Sequence, residues 1–528
     1  YAETIAYGLF AARYNDDTPD TFSLAEAAEK VPQTNPFLRQ FFLQIAAYEK
    51  DSRLDWVLNN FAELFRHADV HKIMASYGKT TGMNHDPVTH FYETFLGEYD
   101  SKRRKARGVY YTPLPIVQHI VRAVDRVLVE EFGLPDGLAD DSTVQHTYSV
   151  NPYKKGKGTG KDHFTKTSDI PRVQILDPAT GTGTFLNETI KLIAERKQHL
   201  GSSWSSYVES NLLPRLHGFE LLMAAYSMAH MRLGLTLAES GYTPSREHPR
   251  IGVYLTNTLE EPAQDEPPLL AMLGMSRAIT EEAIAADKVK RDLPIMVVMG
   301  NPPYSVSSSN KSKYIDGLMA DYKKDLNERN IQPLSDDYIK FIRYAESMIE
   351  KTGQGIVAMI TNNSYIDGII HRQMRKHLLE TFDSIRVIDL HGNTKKKETS
   401  PNGSADENVF DIQQGVSIVI MTKTSAKQTE GIAQVKFGEL YGKRQAKYDS
   451  LSTSATVELE PIEPKSPTYY LIKKDMQLEN EYGHFVALRD LMPLSGSGAQ
   501  TKRDEFFIAQ DRPALLEHVP KILGKHIE

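Results

Sequence analysis

The chain has 528 residues, too many for one ordinary hydrophobic core, so two or three domains are expected. With 40% hydrophobic and 25% charged residues, no bilayer-length apolar run and no signal-peptide pattern at its start, it reads as a cytoplasmic globular protein without a membrane segment. The lack of any cysteine excludes disulfides, thiolate metal sites and a thiol nucleophile, while a net charge of −7 still allows a basic cleft on an acidic body.

Residues 1–100 carry helical spacing, with Phe37, Leu38, Phe41, Phe42, Ile45 and Tyr48 in one segment and Leu54, Val57, Leu58, Phe61, Leu64 and Phe65 in the next. This predicts a helical N-terminal domain. From 101 to 460, strand-like runs alternate with helical segments, the pattern of a mostly parallel sheet with helices on both faces. Strands are expected at 173–176, 216–219, 251–255, 295–299, 355–361, 385–390 and 416–421. Seven of them complete a doubly wound, Rossmann-like sheet in the α/β class. After Pro461 the pattern changes again, and 461–528 read as the start of a third domain.

The stretches "NPYKKGKGTGKDHF", "PAQDEPP", "SVSSSNKSKY" and "KKKETSPNGSADEN" are rich in Gly, Ser, Pro and Lys and read as solvated loops. "YGKTTG" and "GTGKDH" each contain a Gly-Lys pair, but neither has the flanking glycine and Ser/Thr of a phosphate-binding P-loop.

The first informative constellation is "VQILDPATGTGTFL", residues 173–186. A strand ends at Asp177, a turn with Gly181 and Gly183 follows, and Phe185 and Leu186 open a helix. The next strand ends in Glu220, a carboxylate placed to accept hydrogen bonds from both hydroxyls of a ribose. With no GxGxxG, the turn suits a nucleoside without a pyrophosphate, which points to S-adenosylmethionine rather than a dinucleotide.

The second is "MGNPPYS" at 299–305, at the tip of the fourth expected strand, where open parallel sheets bind ligands. Pro302 and Pro303 stiffen the backbone and remove two N–H donors, so the carbonyl between them can face a ligand. Asn301 adds an acceptor and Tyr304 a flat ring. Two acceptors and a stacking surface suit a planar group bearing NH2, and accepting both N–H bonds draws the nitrogen lone pair out of conjugation.

In this order, "DPATGTGTFL" and "NPPY" resemble the amino-methyltransferases that modify adenine N6 in DNA. "RRKARGVYYTP", 103–113, resembles the segment preceding the glycine turn in the subgroup whose target recognition domain lies C-terminal. The longer run "HFYETFLGEYDSKRRKARGVYYTP", with "YYLIKKD" and "TKRDEFFI", looks like Type ISP restriction-modification enzymes, in which nuclease, helicase, coupler, methyltransferase and target recognition domains share one polypeptide. The resemblance runs from about residue 34 to 528.

It implies that Asp177, Pro178, Ala179, Thr180, Gly181, Gly183 and Phe185 surround the methionine part of S-adenosylmethionine and that Glu220 binds its ribose. Thr112 and Pro113 would hold its carboxylate end, and Asn257, Thr258 and Leu259 would border its adenine, although an acid is common where Asn257 stands. Asn301, Pro302, Pro303 and Tyr304 would grip the target base, with Val416 or Phe410 packed against it. No metal is implied. Double-stranded DNA is the implied partner, residues 1–100 the coupler, and nuclease and helicase parts of the same polypeptide further partners. About sixty residues after 461 are too few to read several base pairs, so the recognition domain is expected to be incomplete. The target adenine must leave the stack to react. The absence of cysteine rules out cytosine C5 methylation, leaving cytosine N4 and a protein glutamine amide as the rival substrates.

Overall fold

The computed structural model describes residues 2–14, 16–30, 36–46, 52–73, 112–149, 165–245, 250–262, 274–305, 308–328, 330–424, 431–453, 457–494, 496 and 504–517. Two compact units are present, Tyr1–Lys473 and Lys474–Glu528.

The first unit holds eleven described strands: β1 (Thr143–Ser149), β2 (Thr165–Pro171), β3 (Ile175–Asp177), β4 (Leu216–Glu220), β5 (Val253–Leu255), β6 (Val297–Gly300), β7 (Gly355–Asn362), β8 (Ser384–Asp389), β9 (Val416–Lys423), β10 (Gln434–Glu439) and β11 (Glu460–Ile462). Nine form one sheet in the order β11-β10-β8-β9-β7-β6-β3-β4-β5, and β1 and β2 form a separate antiparallel hairpin. Only β9 and β11 run antiparallel to their neighbours in the large sheet. The seven expected strands are all present, and the Rossmann-like class is as predicted.

The two extra strands extend the edge beyond β8. β10 alternates buried Val435 and Phe437 with exposed Gln434 and Lys436, and β11 carries Pro461. Alternation fits a strand with one exposed face and the proline fits the edge position of β11, and neither resembles the unbroken apolar runs of the central strands. β7 shows the contrast, since all eight of its residues are buried.

Side-chain alternation splits the sheet's apolar residues between two cores. Ile175, Val297, Met299, Ile356, Ala358, Ile360, Ile418 and Ile420 face one, and Leu176, Val298, Val357, Met359, Val419 and Met421 face the other.

In chain order the main helices are α1 (Ala2–Tyr14), α2 (Leu24–Lys30), α3 (Pro36–Ala46), α4 (Ser52–His67), α5 (Leu114–Phe132), α6 (Thr184–Arg196), α7 (Met223–Glu239), α8 (Gly274–Asp292), α9 (Asp337–Thr352) and α10 (Arg372–Thr381). Helices α5, α6 and α7 cover the first face, and α9 and α10 the second. α5 buries Ile116, Val117, Ile120, Val121, Val124 and Leu128 along one stripe, and Pro113 leads into its first turn. None of the described helices is long and apolar enough to cross a membrane.

Helices α1–α4 pack together and onto the outer side of α7: Tyr7, Phe10 and Ala11 meet Ala224, Ala225, Met228 and Met231, and Phe37 meets the Tyr226 ring edge-on at 5.8 Å. Between the sheet and these helices, α7 is buried nearly all round, which accounts for its weak amphipathicity. Of the expected helical faces, Phe37, Leu38, Phe41, Phe42 and Leu58 are buried, while Leu64 is 61% exposed. The apolar stripe on α4 is wider than the surface it covers.

Residues 461–473 lie with the first unit, where Leu471 is buried and donates its N–H to the Ile366 carbonyl at 2.9 Å. Fully buried Arg375 ties the same stretch down through the carbonyls of Thr468 and Tyr469. In the second unit the described residues form only short helices, and none of their large apolar side chains is buried.

Candidate active site

The carboxyl ends of β3, β4, β5 and β6 lie along one edge of the sheet, because these four strands are parallel neighbours. At the end of β3, Asp177 turns inward and is fully buried. Its Oδ1 accepts the Ala179 N–H at 3.1 Å, and its Oδ2 is buried with no hydrogen-bond partner among the described residues. Burial first, and the nearby Glu220 carboxylate second, push its pKa up to about 8.

The glycine turn is built by Thr180, whose hydroxyl donates to the Asp177 carbonyl at 3.1 Å and whose N–H donates to the Phe219 carbonyl at 3.0 Å. Gly181 and Gly183 adopt φ of +55° and +83°, which L side chains disfavour. A Cβ on Gly183 would lie 3.4 Å from the Ala229 Cβ, so this glycine also lets α6 approach α7 closely. Above Gly181 the space is open among the described residues, with none of their atoms within 4 Å of a would-be Cβ. Phe185 is buried in the core between these helices.

Glu220 clamps the turn from β4. One carboxylate oxygen accepts the Gly181 N–H at 2.8 Å and the other the Leu222 N–H at 2.7 Å. Burial nonetheless raises its pKa to about 7. Each oxygen retains a second lone pair for a ligand hydroxyl.

The β5 loop docks onto β3 through Thr258, whose hydroxyl donates to the Pro178 carbonyl at 2.5 Å, and Leu259 is buried beneath it. The amide of Asn257 is fully engaged by the chain itself. Its Oδ1 accepts the Leu259 N–H, and its Nδ2 donates to Glu260 Oε1 at 3.1 Å and to Asn310 Oδ1 at 3.0 Å. An aspartate would face two acceptors there, which gives the departure from the usual acid a physical reason. Sequence reasoning passed over Lys290, whose ammonium donates to the Thr256 hydroxyl and the carbonyls of Asn257 and Glu260; burial lowers its pKa to about 8.

On β6, Gly300 makes room for Asp177: a Cβ there would lie 2.7 Å from Asp177 Oδ1. The NPPY turn follows directly. Asn301 Nδ2 donates to the Thr112 hydroxyl at 2.9 Å, and the Tyr304 hydroxyl donates to Asn301 Oδ1 at 2.9 Å. Thr112 lies before α5, with Pro113 after it, so two motifs 189 residues apart meet in one amide. Pro302 is buried, and the Tyr304 ring is braced edge-on by Tyr338 at 6.0 Å. Beyond the turn, the Ser305 N–H is held by Asp336 at 2.7 Å, a second residue not singled out from the sequence; burial raises its pKa to about 6.

Val416 opens β9 opposite Asn362, and Phe410 precedes that strand by six residues. Both are buried in the core cluster against which Tyr304 packs. The "RRKARGVYY" part of the upstream motif and "NPYKKGKGTGKDHF" lie outside the described residues.

Residues 278–395 match the family of Eco57I restriction-modification methylases, a segment that contains β6, the NPPY turn, β7 and β8. A putative type II restriction enzyme and methyltransferase of Methanocaldococcus jannaschii is 25% identical over 206 residues, covering 36% of this chain and 17% of that protein. Among solved structures, the DrdV–DNA complex superposes with a TM-score of 0.66 at 23% identity, covering 99% of this chain and 47% of the other. The ATP-dependent Type ISP restriction-modification enzyme LlaBIII bound to DNA gives 0.64 at 21% identity, covering 90% of this chain and 29% of the other. A nuclease-deletion mutant of the Type ISP enzyme LlaGI in complex with a DNA substrate mimic gives 0.60 at 21%, covering 91% and 34%. The chain therefore spans under half the length of these proteins.

Residues 278–395 thus resemble a restriction-modification methylase, and they carry central strands of a Rossmann-like sheet. In fold the chain is similar to the Type ISP enzymes, the resemblance that its motifs imply.

Replacing Gly300 by alanine should force Asp177 or β6 to move and cost about 1–3 kcal/mol of stability, the usual penalty for overpacking. Thermal unfolding of the variant checks this, and an unchanged melting temperature would contradict the contact.

Proposed function

We propose that this chain is the methyltransferase part of a restriction-modification enzyme, transferring a methyl group from S-adenosylmethionine to N6 of an adenine in double-stranded DNA. The observation that carries the reading is the Asn301 amide, held between Thr112 and Tyr304 beside the glycine turn of the adjacent strand.

The residues at the ends of β3 and β4 fit the cofactor. Two neighbouring carboxyls, Asp177 with an oxygen that has no partner among the described residues and Glu220, would each be held ionised by a positively charged ligand, and the open space over Gly181 admits one. Thr112, Pro113, Ala179, Thr180, Glu220 and the 257–259 loop would surround it. Bound there, S-adenosylmethionine supplies a methyl group on a positively charged sulfur.

This chain's own residues would handle the base. Asn301 Oδ1 has one lone pair taken by Tyr304 and one left for an N–H of the amino group, and the carbonyl between Pro302 and Pro303 can accept the other N–H. Accepting both bonds localises the nitrogen lone pair for attack. Stacking on Tyr304 offsets part of the unstacking cost, at roughly 1–3 kcal/mol per base. Rate enhancement then comes from placement and polarisation rather than from covalent chemistry with the protein. A cytoplasmic setting, and nuclease and helicase parts in the same polypeptide, suit this role. So do residues 1–100 as coupler, 101–460 as the catalytic domain and 461–528 as the start of a recognition domain.

Replacing Asn301 by alanine should leave S-adenosylmethionine binding within about threefold of wild type and reduce methyl transfer to DNA by 100-fold or more, since it removes a group acting at the reacting nitrogen. Calorimetry and single-turnover transfer from labelled cofactor measure the two, and retained turnover would contradict the assignment.

Affinity for the cofactor should also fall as the pH is lowered. Asp177 and Glu220 keep their protons up to about 8 and 7, so acidification neutralises the carboxylates that a cation needs. Between pH 7.5 and 5.5 the dissociation constant should rise by roughly tenfold or more. A flat profile would contradict it.

A further inference from the structure

We propose that Thr112 is a positioning residue for the base grip: it holds the Asn301 amide with its carbonyl, and not its NH2, toward the target amino group. This deepens the reading above and rests on it. Thr112 is buried and accepts from Asn301 Nδ2 at 2.9 Å, while Tyr304 donates to Asn301 Oδ1 at 2.9 Å.

Both neighbours of the amide are hydroxyls, and a hydroxyl can donate or accept. If Thr112 donates and Tyr304 accepts, the amide turns over with the same number of hydrogen bonds. Turned over, it presents a donor to an amino group that is itself a donor, and the grip is lost. The two partners alone therefore do not decide the orientation that the chemistry needs.

A bound cofactor can decide it. Among the described residues the Thr112 hydroxyl donates to nothing, and Thr112 lies at the same strand edge as the glycine turn, one amide away from it across β6. An acceptor on the cofactor that takes the Thr112 proton leaves only lone pairs for Asn301. The amide NH2 must then face Thr112, and the carbonyl faces the base. Cofactor binding and base binding become coupled through one side chain, and by linkage the coupling is reciprocal.

The test compares Thr112→Val, which keeps the shape and removes the hydroxyl, with Thr112→Ser, which restores it, in protein made from the complete gene. In wild type, a non-transferring, positively charged cofactor analogue should tighten binding of target DNA by fivefold or more, and valine should reduce that to under twofold. Valine should also lower kcat by 10- to 100-fold with KM for DNA changed less than threefold, and serine should recover both properties. Should valine disturb the start of α5, Thr112→Ala provides the same comparison without the added methyl. Wild-type coupling and kcat in the valine and alanine variants overturn the proposal and leave the functional reading intact. No methyl transfer to adenine by wild type overturns both.

Discussion

The neighbouring ends of β3 and β6 set the geometry of the whole sheet edge. Asp177 is buried at one and Gly300 sits at the other, so close that any side chain at 300 would strike the carboxylate. This contact holds the glycine turn next to the NPPY turn. The open space over Gly181 and the Asn301 amide are thereby brought together by the same two strands. The second Asp177 carboxylate oxygen is buried with no hydrogen-bond partner among the described residues, and this burial is what raises the carboxyl's pKa.

Around this contact, loops that belong to different strands are tied to one another. Asn310 accepts from Asn257 and donates to Asp337, so the loop after NPPY is linked both to the β5 loop and to the start of α9. Lys340 adds a bond to the Ser308 hydroxyl. Lys290 anchors three acceptors of the 256–260 stretch, with its ammonium over the Phe219 ring at 5.5 Å. A site assembled on strand tips needs such bonds, because a loop outside the sheet is positioned by its neighbours rather than by ladder hydrogen bonds.

Much of the sheet was legible in the sequence because its seven central strands are apolar runs bounded by turn residues. β10 escaped because it alternates polar and apolar residues, β11 because it is a short edge strand carrying a proline, and the β1–β2 hairpin because its residues are mostly polar and exposed. The two turns of the site were legible for a different reason: each is a contiguous string whose residue types carry a backbone requirement. What joins them was not. The bond from Thr112 to Asn301 spans 189 positions, and that from Asp336 to Ser305 spans 31, each resting on one polar residue with no periodic signal. Asn257 looked like a departure from pattern until its three partners were in view. The choice between Val416 and Phe410 stays undivided by burial, since both lie in the same core.

Mass spectrometry of nucleosides from plasmid DNA, recovered from a methylation-deficient host expressing the complete gene, tests the central claim most directly. DNA from cells expressing the wild type should contain N6-methyladenine. N4-methylcytosine in its place, or no methylated nucleoside at all, would contradict it.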